Sequence, residues 1–94
     1  MILILGCGHG IDLTDKGELV RQIEPEVAKD CQYVRQVQAF NGSGGYDGEI
    51  REGAIVTLRN TVALTGGNAY VEVDSSDTMT GTEIKADAYR CPSK

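Results

Sequence analysis

Between Asp47 and Thr65 the apolar residues recur at the spacing of a helix turn: Ile50, Ala54, Leu58 and Val62 fall at steps of four, with Ile55 and Ala63 widening the stripe. The spacing predicts an amphipathic helix over 48–65. Asp47 is the expected N-cap, and Glu49 and Glu52 suit the positive end of the helix dipole. Gly66 and Gly67 stop the helix, one of them in the left-handed conformation. A helix with a single apolar stripe must lay it on another element, and the segments on either side are strand-like.

Residues 31–40 (CQYVRQVQAF) are rich in β-branched and aromatic side chains, and their apolar positions change parity between Val34 and Val37, which predicts a bulge or partial burial. Residues 69–73 (AYVEV) alternate, with Ala69, Val71 and Val73 expected to face inward, and 74–81 (DSSDTMTG) read as a polar turn. Residues 82–90 alternate again, Ile84, Ala86 and Ala88 on one face, Glu83, Lys85 and Asp87 on the other, before Pro92 stops the strand. A further short strand is expected over 18–23 (ELVRQI), closed by Pro25. The expected fold is α+β: a small β-α-β-β sheet with one helix packed on one face. A right-handed helical crossover makes the first two long strands parallel, and the hairpin makes the third antiparallel to both. With the third strand central, Cys31 and Cys91 meet at one edge of the sheet, near the usual disulfide Cα separation of about 5.5–6 Å.

A chain of 94 residues is one domain. At this size folding buries only about 60% of the unfolded surface, so a cross-link carries weight. The start, Ile4-Leu5-Gly6-Cys7, has the form of a lipobox, in which cleavage before Cys7 leaves its thiol to take a lipid. The apolar stretch at 1–5 is shorter than the roughly 7–15 residues of a signal peptide and lacks a basic residue before it, which points to a start placed too far downstream or a shortened chain. The alternative is an edge strand over 2–5, buried in a cytosolic ligand-binding or enzymatic domain. Gly8, His9 and Gly10, with Asp12, Thr14, Asp15, Lys16 and Gly17, read as a polar tether, so 1–17 is expected to be signal remnant and tether, and 18–94 the domain. Gly8 is not the Asp that retains such lipoproteins in the inner membrane, which favours the outer membrane of a Gram-negative source. With Cys7 lipidated, Cys31 and Cys91 form an even pair in an exported chain, which implies a disulfide. In the cytosolic alternative both are buried free thiols.

The formal charge of −5 and the scattered Lys and Arg argue against nucleic acid and against a polybasic membrane patch. His9 is the only histidine and sits in the tether, so no nucleophile–base set is expected, and Cys7 with His9 cannot complete a metal tetrahedron. Asp74, Asp77, Glu83 and Asp87 read as a solvated hairpin. The NGSGG loop at 41–45 lacks the Lys-Ser/Thr ending of a phosphate loop. Tyr33, Tyr46, Tyr70 and Tyr89 are expected at the rim of the core rather than on a sticky surface. No enzyme activity, cofactor or metal is expected.

Cys31-Gln32-Tyr33, Leu58-Arg59-Asn60, Gly66-Gly67-Asn68-Ala69 and Ala88-Tyr89-Arg90-Cys91-Pro92 form a series that resembles the small bacterial lipoproteins of domain-of-unknown-function family 4156, over about residues 20–92. The helix–Gly-Gly-Asn–strand piece is also similar to the outer-membrane sensor lipoprotein of the Rcs stress pathway. The resemblance implies an exported α+β domain, a lipid anchor at Cys7 and no assigned activity. The more distant likeness would imply envelope sensing through protein contacts.

Overall fold

A computed structural model describes residues 13–42 and 47–92. Cys7, His9 and the apolar start at 1–5 lie outside the described residues, as do Tyr46 and residues 43–45 of the NGSGG loop. The side chains of Asp47 and Glu49, expected to cap the long helix and match its dipole, lie outside them too.

The elements run α1 (Asp15–Glu18), β1 (Arg21–Gln22), α2 (Pro25–Ala28), β2 (Gln32–Asn41), α3 (Asp47–Leu64), β3 (Ala69–Thr78) and β4 (Gly81–Arg90). The fold is α+β, with a mixed four-stranded sheet in the order β1-β3-β4-β2. As expected, β4 is central and antiparallel to both β2 and β3. The two-residue β1 adds a parallel strand beside β3, pairing Arg21 with Ala69 and Gln22 with Tyr70.

The stripe on α3 forms the core. Ala54, Leu58 and Val62 are fully buried against Val37, Ala39, Tyr70, Ile84, Ala86 and Ala88, with Val34, Ile55 and Ala63 packed around them. The helix ends in a Schellman motif: Gly66 stands at φ +90°, its N–H donates to Ala63 O, and Gly67 N–H donates to Val62 O. The bulge expected in β2 is present, where the register with β4 slips between Tyr33 and Arg35 and leaves Val34 unpaired.

Three local expectations give way. On β3, Tyr70 and Glu72, not Val71 and Val73, share the helix-covered face, because they stand opposite Ala88 and Ala86 of β4. Tyr70 is 4% exposed and Val73 52%. Alternation alone could not choose between the two faces, and the ladder with β4 did. Residues 74–78, read as turn, continue β3, and the turn itself is only Met79 and Thr80. Cross-strand bonds to β4 hold this polar stretch extended, and Thr82 Oγ1 donates to Asp77 Oδ1 at 2.7 Å. Lastly, Thr14 to Gly17, at the end of the stretch expected to be tether, cap and form α1 and dock on α3. Thr14 Oγ1 accepts from Gly17 N–H and caps α1, while Thr14 N–H and Oγ1 both donate to Asn60 Oδ1 on α3. Arg59 completes the docking, donating from Nε to Val20 O and from Nη2 to Glu18 O at 3.0 and 2.9 Å. Val20, 1% exposed, is thereby held in the core.

Candidate functional site

Among the described residues both cysteines stand at the sheet end where β2 begins and β4 finishes. Pro25 opens α2 as a first-turn residue, and the turn after it bonds Cys31 N–H to Ala28 O, which brings Cys31 to the start of β2. Gln32 pairs with Arg90, so Cys91 lies beside Cys31. The two are joined as a disulfide with a Cα separation of 4.4 Å across 60 residues of sequence.

Asn68, just past the helix stop, clamps the same corner. Its Nδ2 donates to Cys91 O at 2.9 Å and its Oδ1 accepts from Cys91 N–H at 2.8 Å. Its own N–H donates to Tyr89 O, and its carbonyl accepts from Arg21 N–H. Arg90 Nε donates to Gly66 O, tying the end of β4 back to the helix stop. Tyr33 and Tyr89 meet edge to face with centroids 5.7 Å apart on the sheet face away from α3. A shallow hollow of about 530 Å³ beside the disulfide is lined by Asp30, Gln32, Asn68, Arg90, Cys91 and Pro92.

The motif series therefore has a structural explanation. Cys31 and Cys91 form the cross-link, Tyr33 packs on Tyr89, and Leu58 is core. Arg59 and Asn60 dock the N-terminal segment, Gly66 turns the chain, and Asn68 and Arg90 lock the corner. Both ends of the Asn68 amide are engaged in that lock. Asn68, Arg59 and Asn60 stood out in the sequence only through the resemblance. Each is a polar side chain next to a core or turn residue, a weak signal by itself.

The carboxylates of the hairpin are spread over both sheet faces. Glu83 accepts from Gln38 Nε2 at 3.1 Å, Asp74 pairs in register with Lys85, and Asp87 with Gln36 and Val71. On the helix side Arg51 lies 3.9 Å from Glu72 and 3.7 Å from Asp77, half-exposed contacts worth little each. Burial pushes the Tyr70 phenol above its ordinary pKa; Glu72 adds to this, while Arg59 and Arg51 oppose it. Among the described residues no group of three or more His, Cys, Asp or Glu is placed to hold a metal. No described helix is long and apolar enough to cross a membrane.

The chain matches no family model. It is similar to the uncharacterized protein YjeI of Escherichia coli (strain K12), 28% identical over 103 residues that cover 97% of this chain and 88% of the relative. The YjeI proteins of Escherichia coli O6:H1 and Shigella flexneri match at the same identity and coverage. Among solved structures, the solution structure of the secreted protein STM0082 of Salmonella typhimurium LT2 superposes with a TM-score of 0.59 at 15% identity, over 100% of this chain and 91% of that one. At that identity the likeness is one of fold.

Proposed function

We propose that this chain is an exported binding module of the bacterial cell envelope, closed by the Cys31–Cys91 disulfide, lipid-anchored at Cys7 in the outer membrane, and facing the periplasm. The observation that carries the reading is the disulfide corner. Disulfides form and persist in oxidising compartments, and here a bonded pair is built into the sheet end and locked by Asn68 and Arg90. One likeness supports it: the full-length fold similarity to a secreted protein. Membership of domain-of-unknown-function family 4156 belongs to the same proposal and rests on the motif series, whose residues lock the disulfide corner, fill the core or dock the N-terminal segment. A binding rather than a catalytic role is favoured because those residues are engaged in holding the fold. Tyr33 and Phe40, each more than half exposed, remain on the sheet face away from α3 for contact with a partner.

Intact-mass spectrometry tests this on the native protein expressed from its own gene, upstream region included, in its source bacterium. The expected mass shows cleavage before Cys7, a lipid adduct and the loss of two hydrogens for the disulfide. An unmodified chain with three free thiols would overturn the proposal and return the protein to the cytosol.

A further inference from the structure

The two margins of the sheet differ in a way that bears on partners. An edge strand exposes unpaired backbone N–H and C=O groups, and proteins blunt such edges with charges, prolines, bulges or covering elements. The β3 margin is guarded: β1 covers its start, the register with β4 breaks between Glu72 and Asp74, and Glu72, Asp74 and Asp77 follow along it. The β2 margin is guarded only at its start, by the bulge at Val34 and the charge of Arg35, and among the described residues no strand pairs along its outer side. From Gln36 to Asn41 its register with β4 is regular, and the six residues Gln36-Val37-Gln38-Ala39-Phe40-Asn41 include no charge, no proline and no glycine.

The helix flank above this margin is small. Gly53, Thr57 and Thr61 succeed one another at steps of four along α3, and Thr65 follows just past its end. A hollow of about 380 Å³ opens between them and the strand, lined by Arg35, Gln36, Val37, Gln38, Thr61 and Thr65. On the same flank Thr57 Oγ1 is, among the described residues, a buried side-chain oxygen without a hydrogen-bond partner.

We propose that the β2 margin pairs with the β2 margin of a second copy, joining two four-stranded sheets into one across a two-fold axis. The strand matches itself. An antiparallel pairing centred on Gln38 sets that residue opposite its own copy, Val37 opposite Ala39, Gln36 opposite Phe40, and Arg35 opposite Asn41. Cross-strand partners on β4 show that each pair stays on one face: Arg35, Val37, Ala39 and Asn41 lie on the helix side, and Gln36, Gln38 and Phe40 on the other. The single charge of the strand, Arg35, meets a neutral amide, so no like charges oppose each other. Joining the strands brings the two α3 flanks together, where Gly53, Thr57 and Thr61 let helices approach to the usual 8–10 Å or so. The pairing runs along the backbone edge of β2, shares only Phe40 with the aromatic face, and does not depend on where the protein resides.

The test is sedimentation of the full chain carrying Cys7→Ser, so that no third thiol links copies, over a concentration series from micromolar to millimolar. An interface this narrow is weak, so the mass should rise from one chain to two as concentration increases. Gln38→Lys sets two ammonium groups opposite each other at the axis and Gln36→Lys adds a charge opposite each Phe40, and together they should weaken the dimer at least about tenfold. Both glutamines are exposed, so the melting temperature should hold. A single-chain mass throughout, or a dimer that the double variant leaves intact, would overturn the proposal. Should the variant unfold, amide exchange of the unsubstituted strand decides. Outward amides of 35–41 become protected at high concentration if the proposal holds, and exchange independent of concentration refutes it.

Discussion

Removing the cross-link with Cys31→Ala and Cys91→Ala together should cost a large part of the stability of this domain. The bond closes a loop of 60 residues. In the chain-entropy treatment, cross-linking a loop of that length restricts the unfolded ensemble by about 4 kcal/mol at 25 °C. A domain of this size is stable by only about 5–14 kcal/mol, so the loss is more than about a quarter of the total. The effect should fall on the unfolded state, because the corner has further ties. Asn68 holds the Cys91 backbone through its two bonds, and Gln32 still pairs with Arg90. Urea unfolding of the chain and the double variant, both carrying Cys7→Ser, measures the difference directly. With a slope of about 1–3 kcal/mol/M, the midpoint should fall by roughly 1.5–4 M. Far-ultraviolet circular dichroism of the folded variant should be unchanged. A loss below about 1 kcal/mol, with the fold intact, would refute the reasoning and mean that the unfolded chain is held compact by other contacts.

Four further outcomes are expected. Asn68→Ala leaves the Cys91 N–H and C=O without their partners and should cost about 1–3 kcal/mol, read as a lowered urea midpoint with the disulfide intact by mass. Gly81→Ala should destabilise by about 1–3 kcal/mol in the same assay, because Gly81 stands at φ +153° and a Cβ there would meet Asn41 O at 2.5 Å and the Gly42 Cα at 2.7 Å. Arg59→Ala with Asn60→Ala should free the N-terminal segment from α3. Amides of 14–22 would then exchange faster while those of β4 keep their protection. Tyr70 has its folded pKa raised, so its neutral form is favoured in the native state and the unfolded chain loses the proton first. Its contribution is complete below the ordinary tyrosine value of about 10 and disappears as pH rises through the higher folded value. Tyr70→Phe should therefore flatten the alkaline fall in stability above about pH 10, and an unchanged alkaline slope would contradict the burial of this phenol.

The sequence read by itself determined the helix, the order of the long strands, the central place of the last one and the pairing of Cys31 with Cys91. Each rests on a signal repeated many times along the chain: the four-residue spacing from Ile50 to Val62, the alternation from Ile84 to Ala88, and a topology that permits one meeting of the cysteines. Only the tertiary structure decided what depends on a single partner. Tyr70 rather than Val71 faces the helix because β4 sets the register, and 74–78 is strand because β4 bonds it. Thr14 to Glu18 is ordered because Arg59 and Asn60, more than forty residues away at the shortest in three of these bonds, reach back to it. Short polar segments have no periodicity of their own, and their conformation comes from the neighbours that satisfy their backbone.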